Sequence, residues 1–285
     1  MKTLLKLAML LLIFTACGNP KDKENQTNTI EKKQERIISL NGTISEILVA
    51  LGQESSIVGV DVTSSYPENL KTKAQDLGHI SQLSIEALME LKPTLILAVD
   101  KELNEDLKKQ LEQTGISLKL VSHESSIEGT KKTIKDVAKA MDLENGDALI
   151  AQIDNDLTGI QTFNPKPKVL FIYARGAGML MVSGTGTPID EMIQLAGGEN
   201  VISTFSDYKP LTPESLLSAN PDYILLFTTG LSSVDGVDGV LKIDGIAQTN
   251  AGKNKKIIAM DGQLLSGFSP RVGQAIKELN HLLSK

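Results

Sequence analysis

The chain contains no tryptophan and only ten other aromatic residues, six Phe and four Tyr, among 285. Such scarcity excludes the aromatic stacking platforms that hold single-stranded nucleic acid. Positive charge is short as well. Lys and Arg number 29 against 35 Asp and Glu, a net charge of −6, with no dense basic block to neutralise a phosphate backbone. Histidine occurs only at the scattered positions His79, His123 and His281, and a divalent-metal cage needs several ligands that converge. The one cysteine, Cys17, leaves stability to packing alone. There is no G-x-S-x-G elbow and no Walker A sequence. "YARGAGMLM" supplies Gly176 and Gly178, but Met181 stands where a dinucleotide fingerprint needs its third glycine. An exported α/β enzyme stays open as a reading, without a motif to carry it.

The first residues belong to export rather than to the fold. "MKTLLKLAMLLLIFTAC" has a basic start, an apolar run from Leu7 to Phe14 and small residues before Cys17. The run is too short to span a bilayer. Residues 1–17 are therefore expected to be a signal peptide. A lone cysteine at this place is expected to accept lipid; the alternative is a generic signal peptide with an incidental Cys17. "GNPKDKENQTNTIEKKQE" (18–35) has almost no large apolar residue and reads as a flexible tether. The protein is expected outside the cytoplasm, lipid-anchored to a bacterial membrane, on the periplasmic side or the outer face of the cytoplasmic membrane.

Strand-like and helix-like segments then alternate. "RIISL", "SIVGVD", "PTLILAV" and "SLKLVS" read as strands separated by amphipathic helices, and the pattern restarts at "KVLFIY". Such alternation predicts βαβ units and mostly parallel sheets. The spacing predicts an N-terminal lobe over 36–143, a connecting helix over 144–165 and a C-terminal lobe over 166–285. In the connection, Leu149, Ile150, Ile153, Leu157 and Ile160 fall on one helix face. One motif occurs in both lobes: "LSIEALMELKP" returns as "LTPESLLSANP". Glu86 and Glu214 are offset by 128 (214 − 86), as are Pro93 and Pro221 (221 − 93). Ser84 and Thr212 suit N-caps, and each Glu falls in a first turn, where the helix dipole favours negative charge.

"RIISLNGTISEILVALG", "IVGVDVTSSYPE", "LSIEALMELKPTLILA", "MVSGTGTPIDEMIQLAGGENV", "LTPESLLSANPDYILL" and "SGFSPR" together resemble the solute-binding proteins of ABC importers for haem, cobalamin and ferric siderophores. The resemblance covers nearly all of the chain after residue 35, and "VTSSYPE" with "GTGTPIDEMIQLAGGENV" is similar to the haem-binding branch. It implies two Rossmann-like lobes joined by a single long helix, limited hinge motion and a ligand cleft between the lobes. It also implies a permease dimer with its ATPase as partner, and no catalysis. A ferric siderophore or cobalamin is the alternative cargo.

Read from the residues alone, Tyr66 is a loop tyrosine packing before Pro67. The resemblance makes it an axial ligand to ferric haem iron. A free phenol ionises near pH ~10, so phenolate at neutral pH costs about 4 kcal/mol, which bonding to Fe(III) can supply. Arg175 stands where some haem-binding relatives have a histidine ligand; a guanidinium cannot ligate iron in that way and is implied to meet a propionate. Arg271 is a similar candidate and His79 a reserve ligand. Met179, Leu180, Met181, Phe205, Tyr208, Leu264, Leu265 and Phe268 offer apolar surface for a macrocycle, or core. Glu86 and Glu214 are implied to dock into basic pockets on the two permease subunits.

Overall fold

The repeated strand–helix order resolves into two sheets. The computed structural model describes residues 35–144 and 146–285, apart from the side chains of Glu214 and Ser215. The expected signal peptide 1–17 with Cys17, and the expected tether as far as residue 34, lie outside the described residues.

In the first lobe β1 (Ile37–Ser39), β2 (Ile57–Val60), β3 (Gln75–Asp76), β4 (Leu95–Val99) and β5 (Ser117–Val121) lie in the order β3-β2-β1-β4-β5. Every pairing among them is parallel. β1 and β4 are buried at every residue, as central parallel strands covered on both faces are. The order reverses between β1 and β4, and the crevice beyond their C-terminal ends is where such sheets hold ligands. Asn41 starts the helix after β1: its Oδ1 accepts the N–H groups of Thr43 at 2.8 Å and Ile44 at 3.2 Å.

The second lobe holds β6 (Lys168–Ala174), β7 (Leu180–Ser183), β8 (Glu199–Asn200), β9 (Tyr208–Pro210), β10 (Tyr223–Phe227) and β11 (Ile257–Met260). Their order is β11-β10-β6-β7-β9, with β8 beside β6. This sheet is mixed, where alternating strands and helices predict a mostly parallel one. β6 pairs with β10 and β10 with β11 in parallel, but β7 runs antiparallel to both β6 and β9. The segments "MLMVSG" and "SDYKP" supply β7 and β9. The chain reverses after β6 through a turn in which the Arg175 N–H donates to the Met179 carbonyl at 3.0 Å. Gly176 takes φ +76° there, a conformation glycine adopts without steric cost.

Helix Gly146–Asp156 joins the lobes and is shorter than the 144–165 span that apolar spacing suggests. Ile153 is fully buried on it, with half-buried Leu149, Ile150, Leu157 and Ile160 packed against the same core. That core is continuous. It runs from Ile37, Ile44 and Leu97 of the first lobe to Phe171, Phe268 and Ile276 of the second. The C-terminal helix, Val272–Leu283, rides directly on the connecting helix: a Cβ on Gly273 would stand 2.6 Å from the Asp156 Cβ. The described residues form a single compact unit. Wide opening of the lobes would expose shared apolar surface, at roughly 25 cal/mol per Å².

Candidate ligand-binding site

The loop after β2 is built on hydroxyls. Asp61 is buried, and its carboxylate accepts from the Thr63 hydroxyl at 2.6 Å and the Ser64 hydroxyl at 2.8 Å. Ser64 meets Ser45 at 2.7 Å, and Ser45 donates to Ser39 at the end of β1 at 2.8 Å. The Gly42 N–H donates to the Thr63 hydroxyl at 2.8 Å. A buried network of this kind fixes backbone, since each polar group left unpaired there would carry a desolvation cost. The loop is anchored through Ser64, at 0% exposure, and two residues later presents Tyr66 at 44%.

The Tyr66 ring is backed by a charge. The Arg271 guanidinium, from the second lobe, lies 3.7 Å from its centroid. Arg271 Nε and Nη2 also donate to the two carboxylate oxygens of Glu46, at 2.8 and 2.6 Å. Glu46 sits on helix Gly42–Ala50 of the first lobe with its side chain 3% exposed. Burial pulls the Arg271 guanidinium down, but the hydrogen bonds and charge of Glu46 outweigh it and hold the group above its ordinary range. Removing Arg271 would strand the buried Glu46 carboxylate, at about 3–5 kcal/mol.

Beside this, a cavity of about 580 Å³ opens between the lobes. Asn41, Asp61, His79, Glu102 and His123 line it from the first lobe, Gln263 and Gly267 from the second. Burial raises the Glu102 carboxyl above its usual range, partly offset by hydrogen bonds from Asn41; the Asp61 charge adds to the rise and His79 opposes it. Burial lowers His123, against a hydrogen bond to the Gly267 backbone that favours its charged form. Other bonds tie the lobes here. The Thr43 hydroxyl donates to the Gly267 carbonyl and the Thr130 hydroxyl to that of Phe268, at 2.5 and 2.9 Å. Phe268 holds φ +45°, a conformation uncommon outside glycine. A depression of about 610 Å³ lies wholly on the second lobe, lined by Ala177, Leu180, Leu211, Asp235 and Lys242 among others; of the residues expected at the ligand, Leu180 alone lines it.

The second lobe contributes aromatics at the C-terminal ends of β6 and β10. The Tyr173 ring meets Phe227 edge-on at 6.1 Å and Tyr208 at 6.5 Å. The Arg175 guanidinium sits 5.4 Å from the Tyr173 centroid. Burial raises the Tyr208 phenol, against hydrogen bonds from Ser183 and Thr187. Met179 is 48% exposed. Leu265 and Phe268 are fully buried and belong to the core rather than to a ligand surface.

Of the expected residues, Tyr66 and Arg271 are brought into contact. Among the described contacts none joins Arg175 or His79 to them. His79 is exposed, and its Nδ1 is engaged by the Ser81 hydroxyl at 2.8 Å and the Ser81 N–H at 3.2 Å. Glu86 is exposed in the first turn of helix Ile85–Glu90. Its own N–H and the Ser84 hydroxyl hold its carboxyl below the usual range. Glu214 occupies the first turn of helix Pro213–Ala219. Among the described residues no cluster of three or more His, Cys, Asp or Glu side chains is arranged to hold a metal ion.

Sequence reasoning passed over Glu46, although its signal is legible. It is a charge flanked by Ile44, Ile47 and Leu48 on the buried face of a helix, where a carboxylate needs a partner. Asn41, Glu102 and His123 had no such signal.

Comparison with known proteins agrees with this architecture. The family profile described as periplasmic binding protein matches residues 37–264. The structure of a periplasmic heme-binding protein, RhuT from Roseiflexus sp. RS-1 in apo form, superposes with a TM-score of 0.83 at 36% identity, covering 88% of this chain and 98% of that one. An uncharacterized ABC transporter substrate-binding lipoprotein, YvrC of Bacillus subtilis, is 27% identical over 96% of this chain and 93% of its own. A cobalamin-binding protein of Halobacterium salinarum is 25% identical over 90% of this chain and 72% of its own.

Proposed function

This chain belongs to the periplasmic binding protein family, and from that premise we propose that it captures ferric haem between its lobes and delivers it to the permease dimer of an ABC importer. The observation that carries the reading is Tyr66, an exposed phenol on an anchored loop, backed by a guanidinium from the opposite lobe. Phenolate is a hard anionic donor suited to Fe(III). The likeness to RhuT supports haem as the cargo.

In this reading Tyr66 takes the iron, and the aromatic edge of Tyr173, Tyr208 and Phe227 receives the macrocycle. Arg175 meets a propionate, and His79 is a reserve ligand. Cys17 carries the lipid, as the likeness to a lipoprotein supports. Glu86 and Glu214, in matching first turns of the two lobes, dock on the two permease subunits; charges of this kind steer encounter and fix register. No residue is assigned a catalytic role.

Titration of the protein with hemin tests the reading. A Soret band and a phenolate-to-iron charge-transfer band should appear, and Tyr66→Ala should alter both. Unaltered bands would remove Tyr66 from the iron.

A second reading, cobalamin or a ferric siderophore as cargo, draws on the polar inter-lobe cavity and on the cobalamin-binding relative. Parallel titrations with hemin, cobalamin and a siderophore panel separate the two.

A further inference from the structure

We propose that Glu46 is a positioning residue for Tyr66, acting through Arg271. The proposal rests on the reading of Tyr66 as the ligand-binding phenol and adds what sets its orientation.

Hydroxyl bonds hold the loop only as far as Ser64, and Ser65 and Tyr66 are both exposed. Nothing in that network touches the phenol ring. The contact that fixes one face of the ring is the Arg271 guanidinium at 3.7 Å. A guanidinium on a long stem is free to rotate unless its fork is engaged. Glu46 engages it through Nε and Nη2 together, and two parallel bonds define the plane of the group as well as its place. A carboxylate with 3% of its side chain exposed, on a helix lined by Ile44, Ile47 and Leu48, is stable there because of this pair. The chain of contact runs from the first lobe (Glu46) to the second (Arg271) and back to the first (Tyr66). The orientation of the phenol therefore depends on both lobes being in place.

The chemistry separates two properties of Arg271. Lysine would keep the charge opposite Glu46 but offers no flat face to the ring and no fork. Arg271→Lys should therefore preserve the ion pair and lose the positioning. Glu46→Gln should lose both.

The test uses nitrogen-15 NMR of arginine side chains in the ligand-free full chain, which has only Arg36, Arg175 and Arg271. The ring current of Tyr66 should displace the Arg271 side-chain N–H protons upfield, and Tyr66→Ala should remove that displacement and so identify it. Glu46→Gln should abolish it too; a displacement that survives overturns the proposal. With hemin bound, Glu46→Gln and Arg271→Lys should both shift the charge-transfer band and speed haem loss about tenfold. Wild-type behaviour of Arg271→Lys in both respects also overturns it. Should Glu46→Gln not fold, Arg271→Lys carries the test, because it retains the pair. Should the wild-type band not depend on Tyr66, the haem-ligand reading fails by itself, and the arginine signals decide the positioning role.

Discussion

The Asn41 side-chain amide donates to both carboxylate oxygens of Glu102, at 3.0 and 3.1 Å, and so links the chain beyond β1 to the chain beyond β4. The two residues face each other across the point where strand order reverses, on the wall of the inter-lobe cavity. Asn41 meanwhile caps its own helix through Oδ1. One side chain thus orients a helix, a loop and a carboxyl on the cavity wall.

The Glu102 carboxyl is raised in the folded protein, chiefly by burial. A raised carboxyl binds its proton more tightly folded than unfolded. Its contribution to stability is fully present below its ordinary value of 4.5 and is lost as pH rises through the raised one. Glu102→Gln, which keeps an acceptor for Asn41, should raise the melting temperature at neutral pH, with the gain vanishing below that ordinary value. Thermal unfolding across pH measures it.

His123 shifts the opposite way. Burial depresses it, so the unfolded chain binds the proton more readily. Stability should fall as pH drops from its ordinary value of 6.5 through the depressed one. His123→Asn should flatten that part of the stability profile. Because His123 bonds to Gly267 of the other lobe, hydrogen exchange on acidification should increase first at the lobe contact.

Gly273 has no room for a side chain against the connecting helix, with the Ile153 carbonyl 3.0 Å and the Asp156 Cβ 2.6 Å from a built Cβ. Gly273→Ala should destabilise by about 1–3 kcal/mol through overpacking. Urea denaturation gives the value.

Asn280 is buried in the C-terminal helix and satisfies three backbone groups. Its Nδ2 donates to the carbonyls of Gln161 and Ala196, at 2.8 and 3.0 Å, and its Oδ1 accepts the Gln161 N–H at 3.0 Å. Asn280→Ala should cost about 1–3 kcal/mol, chiefly by orphaning the buried Ala196 carbonyl. Chemical denaturation should show the loss, with ligand binding intact in the folded fraction.

The docking role of Glu86 and Glu214 separates transport from binding. Glu86→Ala with Glu214→Ala should leave hemin affinity unchanged and abolish uptake in cells carrying the cognate permease. Normal uptake would rule the role out.

Local chemistry was legible in the sequence wherever it is carried by neighbouring residues. Ser84 accepts the Ala87 N–H at 3.2 Å, as its place before "IEALME" predicts. The strand "PTLILAV" appears as β4, because a buried parallel strand is an unbroken apolar run. β7 and β9 escaped notice. Each is only three or four residues long, and antiparallel pairing with a neighbour defines them more than any periodicity of their own.

By itself the sequence determined the order of the main helices and longer strands, the duplicated helix start of Glu86 and Glu214, and the placing of Tyr66 on a loop beyond β2. Caps, dipoles and apolar periodicity act within a few residues and can be read in one dimension. Tertiary structure alone decided that Glu46 meets Arg271, 225 positions away, and that Arg271 then lies on Tyr66. It likewise decided that Leu265 and Phe268 are core, and that His123 answers to a carbonyl of the other lobe. Such contacts depend on how two sheets pack through one shared core, and no local propensity encodes which distant side chain will face a given charge.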